Sequence, residues 1–276
     1  MGTGGSRTKA AEGTRLSLYD FNIHKMDDDW RGWIRHIKTA DLAPPDIVLL
    51  QDVERDAERE VFQKALGETF GGNWLGRGSD SEWQTAIVWR GGRFSKMTSR
   101  RWGGFGGTGC VDNSQDAPAV QVRIFDGEAD KWVSLVSLKT PPQVGDECAG
   151  RNFQKVNEHF GGQWDGDLCA IGTDANSPDR SPGGEFAGWY RRSIHSDIAK
   201  LIAGESLGFC DPILELCGED KKKLAEHATL RDTRVDFLFV RVRGRKRPDI
   251  VRQETLPRGK PDKWSDHRSV HVEVRY

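Results

Sequence analysis

The sequence lacks any apolar run approaching the ~18 residues that a membrane-spanning helix needs, so no transmembrane segment is predicted. It also lacks a charge surplus: 41 Lys and Arg stand against 42 Asp and Glu, a formal net charge of −1. Nucleic-acid binders usually show a basic excess, so composition gives no argument for one, although a local basic stripe would suffice. No linker-like segment divides the chain, and no internal repeat is visible. With 276 residues, residues 15–276 are read as one large unit. Residues 1–14, polar and without an apolar pattern, are read as a disordered tail. Met1 through Gly13 carries no signal-peptide pattern.

The five cysteines are an odd number, and no pair has the spacing of zinc ligands. Cys210 and Cys217 bracket a short stretch beginning Asp211-Pro212-Ile213-Leu214. Cys110 and Cys148 lie in polar segments, and Cys169 sits inside the apolar run Leu168-Cys169-Ala170-Ile171. The expectation is disulfides Cys210–Cys217 and Cys110–Cys148, with Cys169 free. That is the pattern of a secreted protein whose leader is absent from this sequence. The alternative is a cytoplasmic protein with five reduced thiols.

Leu16, Leu18 and Phe21 open a first strand. Trp30, Trp33, Ile34 and Ile37 follow helical spacing, with Asp27 to Asp29 placed to cap and charge the N-terminus. Pro44-Pro45 stops that helix, and Asp46 to Leu50 reads as a buried strand. Ala57, Val61, Phe62, Ala65 and Leu66 mark a second helix, ended by Gly67. Strands are expected at 84–90, 118–125, 131–138, 167–173, 234–241, 248–254 and 268–275. Phe153, Val156 and Phe160 place a helix over 151–160, closed by Gly161-Gly162. Early interleaving and later hairpin-like pairs argue for an α+β fold, with sheets packed face to face and helices outside.

Five segments place oxygen-bearing side chains at the margins of strand-like runs. Asn22 lies in Asp20-Phe21-Asn22-Ile23, and Asp52 follows Ile47-Val48-Leu49-Leu50-Gln51. Asp174 and Asn176 close Gly172-Thr173-Asp174-Ala175-Asn176, and Asp236 opens Asp236-Phe237-Leu238-Phe239. Ser265-Asp266-His267 precedes Ser269-Val270-His271-Val272-Glu273-Val274. A carboxylate beside an imidazole can set a metal or phosphate ligand next to a proton donor. Each segment also has a plainer reading: a solvated turn, an Asx-turn at Asp174, or a salt bridge from Asp236 to Arg234 or Arg231.

The ordered set resembles the endonuclease/exonuclease/phosphatase superfamily. These are metal-dependent phosphoesterases related to pancreatic-type deoxyribonuclease and bacterial sphingomyelinases. The resemblance spans residues 15–276 and implies a four-layer α/β/β/α sandwich of two mixed sheets flanked by helices. It implies Mg2+ or Mn2+ at Asn22, Asp52 and Asp266, and catalysis by Asp174, Asn176, Asp236 and His267. In that scheme Asp174 orients or deprotonates water, Asn176 donates to phosphoryl oxygens, and Asp236 fixes the His267 imidazole. Ser137, Lys139 and Trp264 are the expected substrate contacts.

Two departures bear on function. Asp52 stands where the pattern has a glutamate, and magnesium tolerates a misplaced ligand poorly. Ser137, in Leu135-Val136-Ser137-Leu138-Lys139, stands where the pattern has a histidine. A hydroxyl is uncharged and is no general acid at neutral pH. Lys139 shares its strand face and either supplies the charge or is a solvated loop lysine. The function implied is hydrolysis of a phosphate ester, a diester rather than a monoester, by a monomer. The substrate is a nucleic acid, a lipid headgroup or a small metabolite. The alternative is a degenerate or repurposed member that binds a phosphorylated or other ligand with little hydrolysis.

Gly104-Phe105-Gly106-Gly107-Thr108-Gly109 matches the dinucleotide fingerprint literally, but Cys110 to Pro118 is polar and proline-broken, so no helix follows. It reads as a loop. Arg241 to Arg247 is a basic cluster between two strands, either a solvated tip or a polyanion contact. Of the tryptophans Trp74, Trp83, Trp89, Trp102, Trp189 and Trp264, most read as core, with Trp264 beside the Ser265-Asp266-His267 segment.

Overall fold

Alternating apolar residues make β1 (Arg15–Asn22) a strand buried from Leu16 to Asn22, and it lies at the centre of a six-stranded sheet. In the computed structural model, residues 13–23, 30–54, 56–79, 84–102, 118–140, 150–151, 156, 165–179, 187, 189–190, 208–218, 220–230, 233–245, 247–256 and 265–276 are described. The helix α1 (Trp30–Thr39) carries β1 into β2 (Ile47–Val53), which pairs parallel to it. The helix α2 (Asp56–Phe70) leads to β3 (Trp74–Gly78) and β4 (Gln84–Arg90). Then come β5 (Phe94–Trp102), β6 (Ala119–Asp126), β7 (Lys131–Lys139) and β8 (Leu168–Asp174). Two short helices, α3 (Pro212–Cys217) and α4 (Lys221–Glu226), precede β9 (Asp236–Val242), β10 (Asp249–Leu256) and β11 (Ser269–Arg275).

One sheet has the order β10-β11-β1-β2-β4-β3 and the other β5-β6-β7-β8-β9. Each holds one parallel pair, β1 with β2 and β7 with β8, and the remaining neighbours are antiparallel. The largest core cluster, including Leu18, Leu49, Ile87, Val122, Leu135, Ala170 and Val272, fills the space between the sheets. A second joins Phe21, Leu50 and Val88 to Trp33 of α1 and Phe62 of α2 on the outer face of the first sheet. A third packs Trp189, Tyr190 and Phe209 on Ile171, Phe237 and Phe239 of the second sheet. The architecture is thus α+β, two mixed sheets face to face with helical layers outside.

Several expectations change. The helix α2 runs through Gly67 and stops at Gly71 and Gly72, whose φ values of 76° and 81° are the left-handed geometry glycine takes at helix ends. The edge strands β3 and β5 were not foreseen from sequence. The disulfide Cys210–Cys217 is not formed: both residues are free thiols, as is Cys169. Asp211 caps α3 by accepting from the Ile213 and Leu214 amides. That helix, rising ~1.5 Å per residue, carries Cys217 away from Cys210, which is bridged to Val240. Cys110, Cys148, the tail 1–12, Asp27 to Asp29, most of the 151–160 helix, the 104–109 loop, Trp83 and Trp264 lie outside the described residues. No helix among the described residues is long and apolar enough to cross a membrane.

Candidate active site

The strand directions gather the polar termini at one end of the sandwich. The parallel strands β1, β2, β7 and β8 finish there, at Asn22, Asp52–Val53, Lys139 and Asp174. The strands β9 and β11 run antiparallel to β8 and β1, so they begin there. Register puts Lys139 opposite Asp174 and Asp174 opposite Asp236. Residues spread over more than 240 positions of sequence therefore meet because of the topology.

Asp174 is buried at the centre. Its Oδ2 accepts from Asn22 Nδ2 at 3.0 Å and from Asn176 Nδ2 at 3.0 Å, and its Oδ1 from the Asn176 amide at 2.9 Å. Asn176 has φ 47° and also donates from Nδ2 to the Thr140 carbonyl at 2.6 Å. Both protons of its amide are thereby engaged. Asn176 braces Asp174 here and presents no free N–H to a phosphoryl oxygen.

His267 Nδ1 donates to Asp236 Oδ2 at 2.8 Å. The hydroxyl of Ser265 sets this pair, donating to the Asn22 carbonyl at 2.9 Å and accepting from the His267 amide at 3.1 Å. The Thr229 hydroxyl accepts from the Val235 and Asp236 amides at 3.0 and 2.9 Å, fixing the start of β9. The alternative of a salt bridge between Asp236 and Arg234 is not realised. The Arg234 guanidinium instead binds Asp179 at 3.0 Å and Asp211 at 2.6 Å. Asp236 Oδ1 is buried without a hydrogen-bond partner.

Charge in this cluster is strongly coupled. Burial would lower the His267 pKa, but the carboxylates of Asp236, Asp174 and Asp266 overrule it and push the imidazole up to about 10. Burial and then the neighbouring Asp236 charge push Asp174 up to about 7, opposed by His267 and Lys139. The site thus pairs an imidazole whose charge the carboxylates favour with a carboxyl group whose ionisation burial and Asp236 oppose.

The remaining candidates separate. Lys139 Nζ forms an ion pair with Asp52 Oδ1 across the gap between the sheets, with the lysine side chain 20% exposed. Ser137 lies one pleat deeper, fully buried, donating to the Leu50 carbonyl at 2.8 Å and accepting from Gln51 Nε2 at 3.2 Å. Its hydroxyl is thus taken up by groups of the facing sheet, and Lys139 is the β7 residue beside Asp52 and Asp174. Asp266 is half exposed, with Oδ1 3.8 Å from His267 Nε2. Gln51 Nε2 also donates to Asp20 Oδ1 at 2.7 Å. Burial, then the nearby Asp236 charge, push the Asp20 carboxyl well above its ordinary range. Asp20, Gln51, Thr229 and Ser265 were not among the sequence-predicted site residues. Asp20 carried a signal as a carboxylate among the apolar residues Leu16, Leu18 and Phe21, and Ser265 stood in the Ser265-Asp266-His267 segment.

The basic cluster lies elsewhere. Arg241 and Arg243 bind Asp165, and Arg247 binds Glu215. The cluster begins near the far end of β9 from Asp236, roughly 16 Å away at ~3.3 Å per residue.

Among the described residues, ligand atoms of Asp174, Asp236 and His267 lie within 4.8 Å of one another, a group able to hold a metal ion. Two packed mixed sheets with acidic strand ends and an Asp–His pair at one rim define a class. The chain has the fold of the endonuclease/exonuclease/phosphatase superfamily. Its solved likenesses include D. rerio TDP2 complexed with single strand DNA product, at TM-score 0.65 and 15% identity over 95% of this chain and 100% of that one. The human Nocturnin catalytic domain with bound sulfate anion gives 0.63 and 12%, over 94% of each chain. An endonuclease/exonuclease/phosphatase family protein from Bacteroides thetaiotaomicron gives 0.61 and 14%, over 95% of each. No family model and no curated protein matches the sequence.

Proposed function

We propose that the chain is a divalent-metal-dependent phosphodiesterase acting on nucleic acid. The observation that carries the reading is the buried convergence of Asp174, Asp236 and His267, with Lys139 beside them. In it Asp174 accepts the proton of a water that attacks phosphorus in line, while the opposite P–O ester bond breaks and the departing oxygen takes a proton from solvent. Burial raises the proton affinity of the Asp174 carboxylate, as a base requires. Asn22 and Asn176 hold that carboxylate in place. Asp236 orients the His267 ring, so that Nε2–H faces the negative charge that grows on the phosphoryl oxygens. Lys139 adds a second cation. Preorganised donors of this kind typically contribute ~10²–10⁴-fold in rate.

A divalent cation such as Mg2+ or Mn2+ fits the donor set. Asp174 and Asp236 offer hard oxygen ligands, and Asp236 Oδ1 is a buried carboxylate oxygen with no other partner. Bound there, with His267 alongside, it would supply Lewis-acid charge to the phosphoryl group. The nucleic-acid substrate class is supported by the D. rerio TDP2 structure, which shares the fold and holds a single-strand DNA product.

The test is hydrolysis of plasmid DNA, a single-stranded oligonucleotide, sphingomyelin vesicles and bis(p-nitrophenyl) phosphate with Mg2+ or Mn2+. The expected result is cleavage of DNA and of the activated diester, stopped by EDTA. Cleavage of the lipid headgroup alone would move the substrate class. Binding of DNA without cleavage under either ion would favour a repurposed, non-hydrolytic protein.

A further inference from the structure

The ion pair between Lys139 and Asp52 is built by the backbone on both sides. In β2 the register against β4 shifts between Leu50 and Val53, an extra residue that makes a β-bulge. Within it Asp52 takes φ 57°, a left-handed conformation that non-glycine residues adopt rarely and aspartate more readily than most. Bulges re-aim side chains, and this one accompanies an Asp52 carboxylate that meets a chain on the opposite sheet. On the other side β7 runs to Lys139, its last residue, opposite Asp174. The ammonium therefore stands between the rims of the two sheets, on Asp52 and close enough to Asp174 to lower its pKa. Asp52 is nearly buried, with its side chain 6% exposed. A carboxylate so placed needs a compensating cation, and here the chain supplies one covalently.

We propose that Lys139 is a tethered cation occupying the carboxylate of Asp52, so that a divalent ion binds at Asp52 only by displacing the ammonium. The resemblance to metal-dependent phosphoesterases implies an ion at this position; the structure shows a lysine already on it. Two cations competing for one carboxylate have an unfavourable coupling, and removing one strengthens the other. A single positive charge at Asp52 also leaves the site less neutralised than a divalent ion would, with the shorter aspartate matched to the reach of the lysine. The inference deepens the proposed function and rests on it for the purpose the cation serves. Its test needs no substrate, so the two readings stand or fall separately.

The experiment is calorimetric titration of Mn2+ into the full chain as wild type, Lys139→Gln, Lys139→Arg and the double variant Lys139→Gln/Asp52→Asn. Folding of each is checked by circular dichroism and thermal melting. Lys139→Gln is expected to bind Mn2+ about tenfold more tightly than wild type, a coupling of ordinary size between two ligands of one site. Lys139→Arg keeps the wild-type affinity, and the double variant loses the gain. Unchanged or weaker affinity in folded Lys139→Gln would overturn the proposal. So would a gain that survives removal of the Asp52 carboxylate, which would place the ion elsewhere. If Lys139→Gln does not fold, Lys139→Met is read by the same criteria. If neither folds, Asp52→Asn alone decides. Undiminished Mn2+ affinity in Asp52→Asn is the expected result for a carboxylate held by lysine, and a tenfold loss overturns the proposal.

Discussion

At the scale of single residues, His267 carries the most electrostatic information. Its imidazole is buried, which disfavours charge, yet three carboxylates raise its pKa to about 10. A folded pKa raised above the unfolded value of about 6.5 stabilises the native state fully below that value. That contribution is lost as pH rises through the folded pKa. The melting temperature of the wild type is therefore expected to fall between pH 7 and pH 10, and that of His267→Gln to fall less. Thermal melts across that range decide it, and parallel slopes in the two proteins would show that His267 carries no such charge. Ser137, expected from sequence as a substrate contact, is buried and donates to the Leu50 carbonyl. Ser137 and Lys139 share a strand face, so alternation cannot tell which of them reaches the rim. Only the end point of β7 does.

At the scale of elements, the close approach of the sheets depends on Gly172 in β8. A Cβ there would lie 2.3 Å from Asp20 Oδ1 and 2.7 Å from Leu49 Cβ, both on the facing sheet. Gly172→Ala is expected to destabilise the protein by about 1–3 kcal/mol or more, the usual cost of forcing extra volume into a packed core. Urea denaturation measures it, and a variant as stable as wild type would mean the sheets can separate without cost. The buried strands β4, β7 and β8 were legible within a residue because continuous apolar runs mark them, while β2 runs three residues past its expected end at Leu50. Edge strands were not. In β5 the inner run is Ser95, Lys96, Met97, Thr98, Ser99, Arg100 and Arg101, half solvated, and β3 has two glycines in five residues. Neither presents the alternation that a half-buried strand shows. The helix α2 outran its predicted stop by one turn: Gly67 lies in its last turn, where its carbonyl accepts from the Gly71 amide at 2.9 Å.

At the scale of the whole molecule, strand direction converts scattered carboxylates into one site. The order of segments was visible in sequence, but their contacts were not, since pairing across sheets leaves no local pattern. A clamp at the opposite end of β1 holds the two sheets in register. Arg93 binds Asp46 at 2.9 Å, Asp126 at 2.7 Å and the Arg15 carbonyl at 2.9 Å, while the C-terminal Tyr276 hydroxyl donates to Asp126 at 2.6 Å. The cost of assembling the site is concentrated in Asp174, whose ionisation burial and Asp236 oppose. Its folded pKa is raised, so its contribution to stability is greatest at low pH and is lost as pH rises through about 7. Asp174→Asn removes the charge and keeps one oxygen to accept from the Asn22 and Asn176 side-chain amides, while its new NH2 replaces the oxygen that accepts from the Asn176 backbone amide. The most direct measurement is therefore hydrolysis of a single-stranded oligonucleotide with Mn2+ by wild type and Asp174→Asn, each also melted at pH 8. The expected result is a folded variant with a rate lower by ~10²–10⁴-fold; a folded variant keeping more than about a tenth of wild-type activity, above that range, would contradict it.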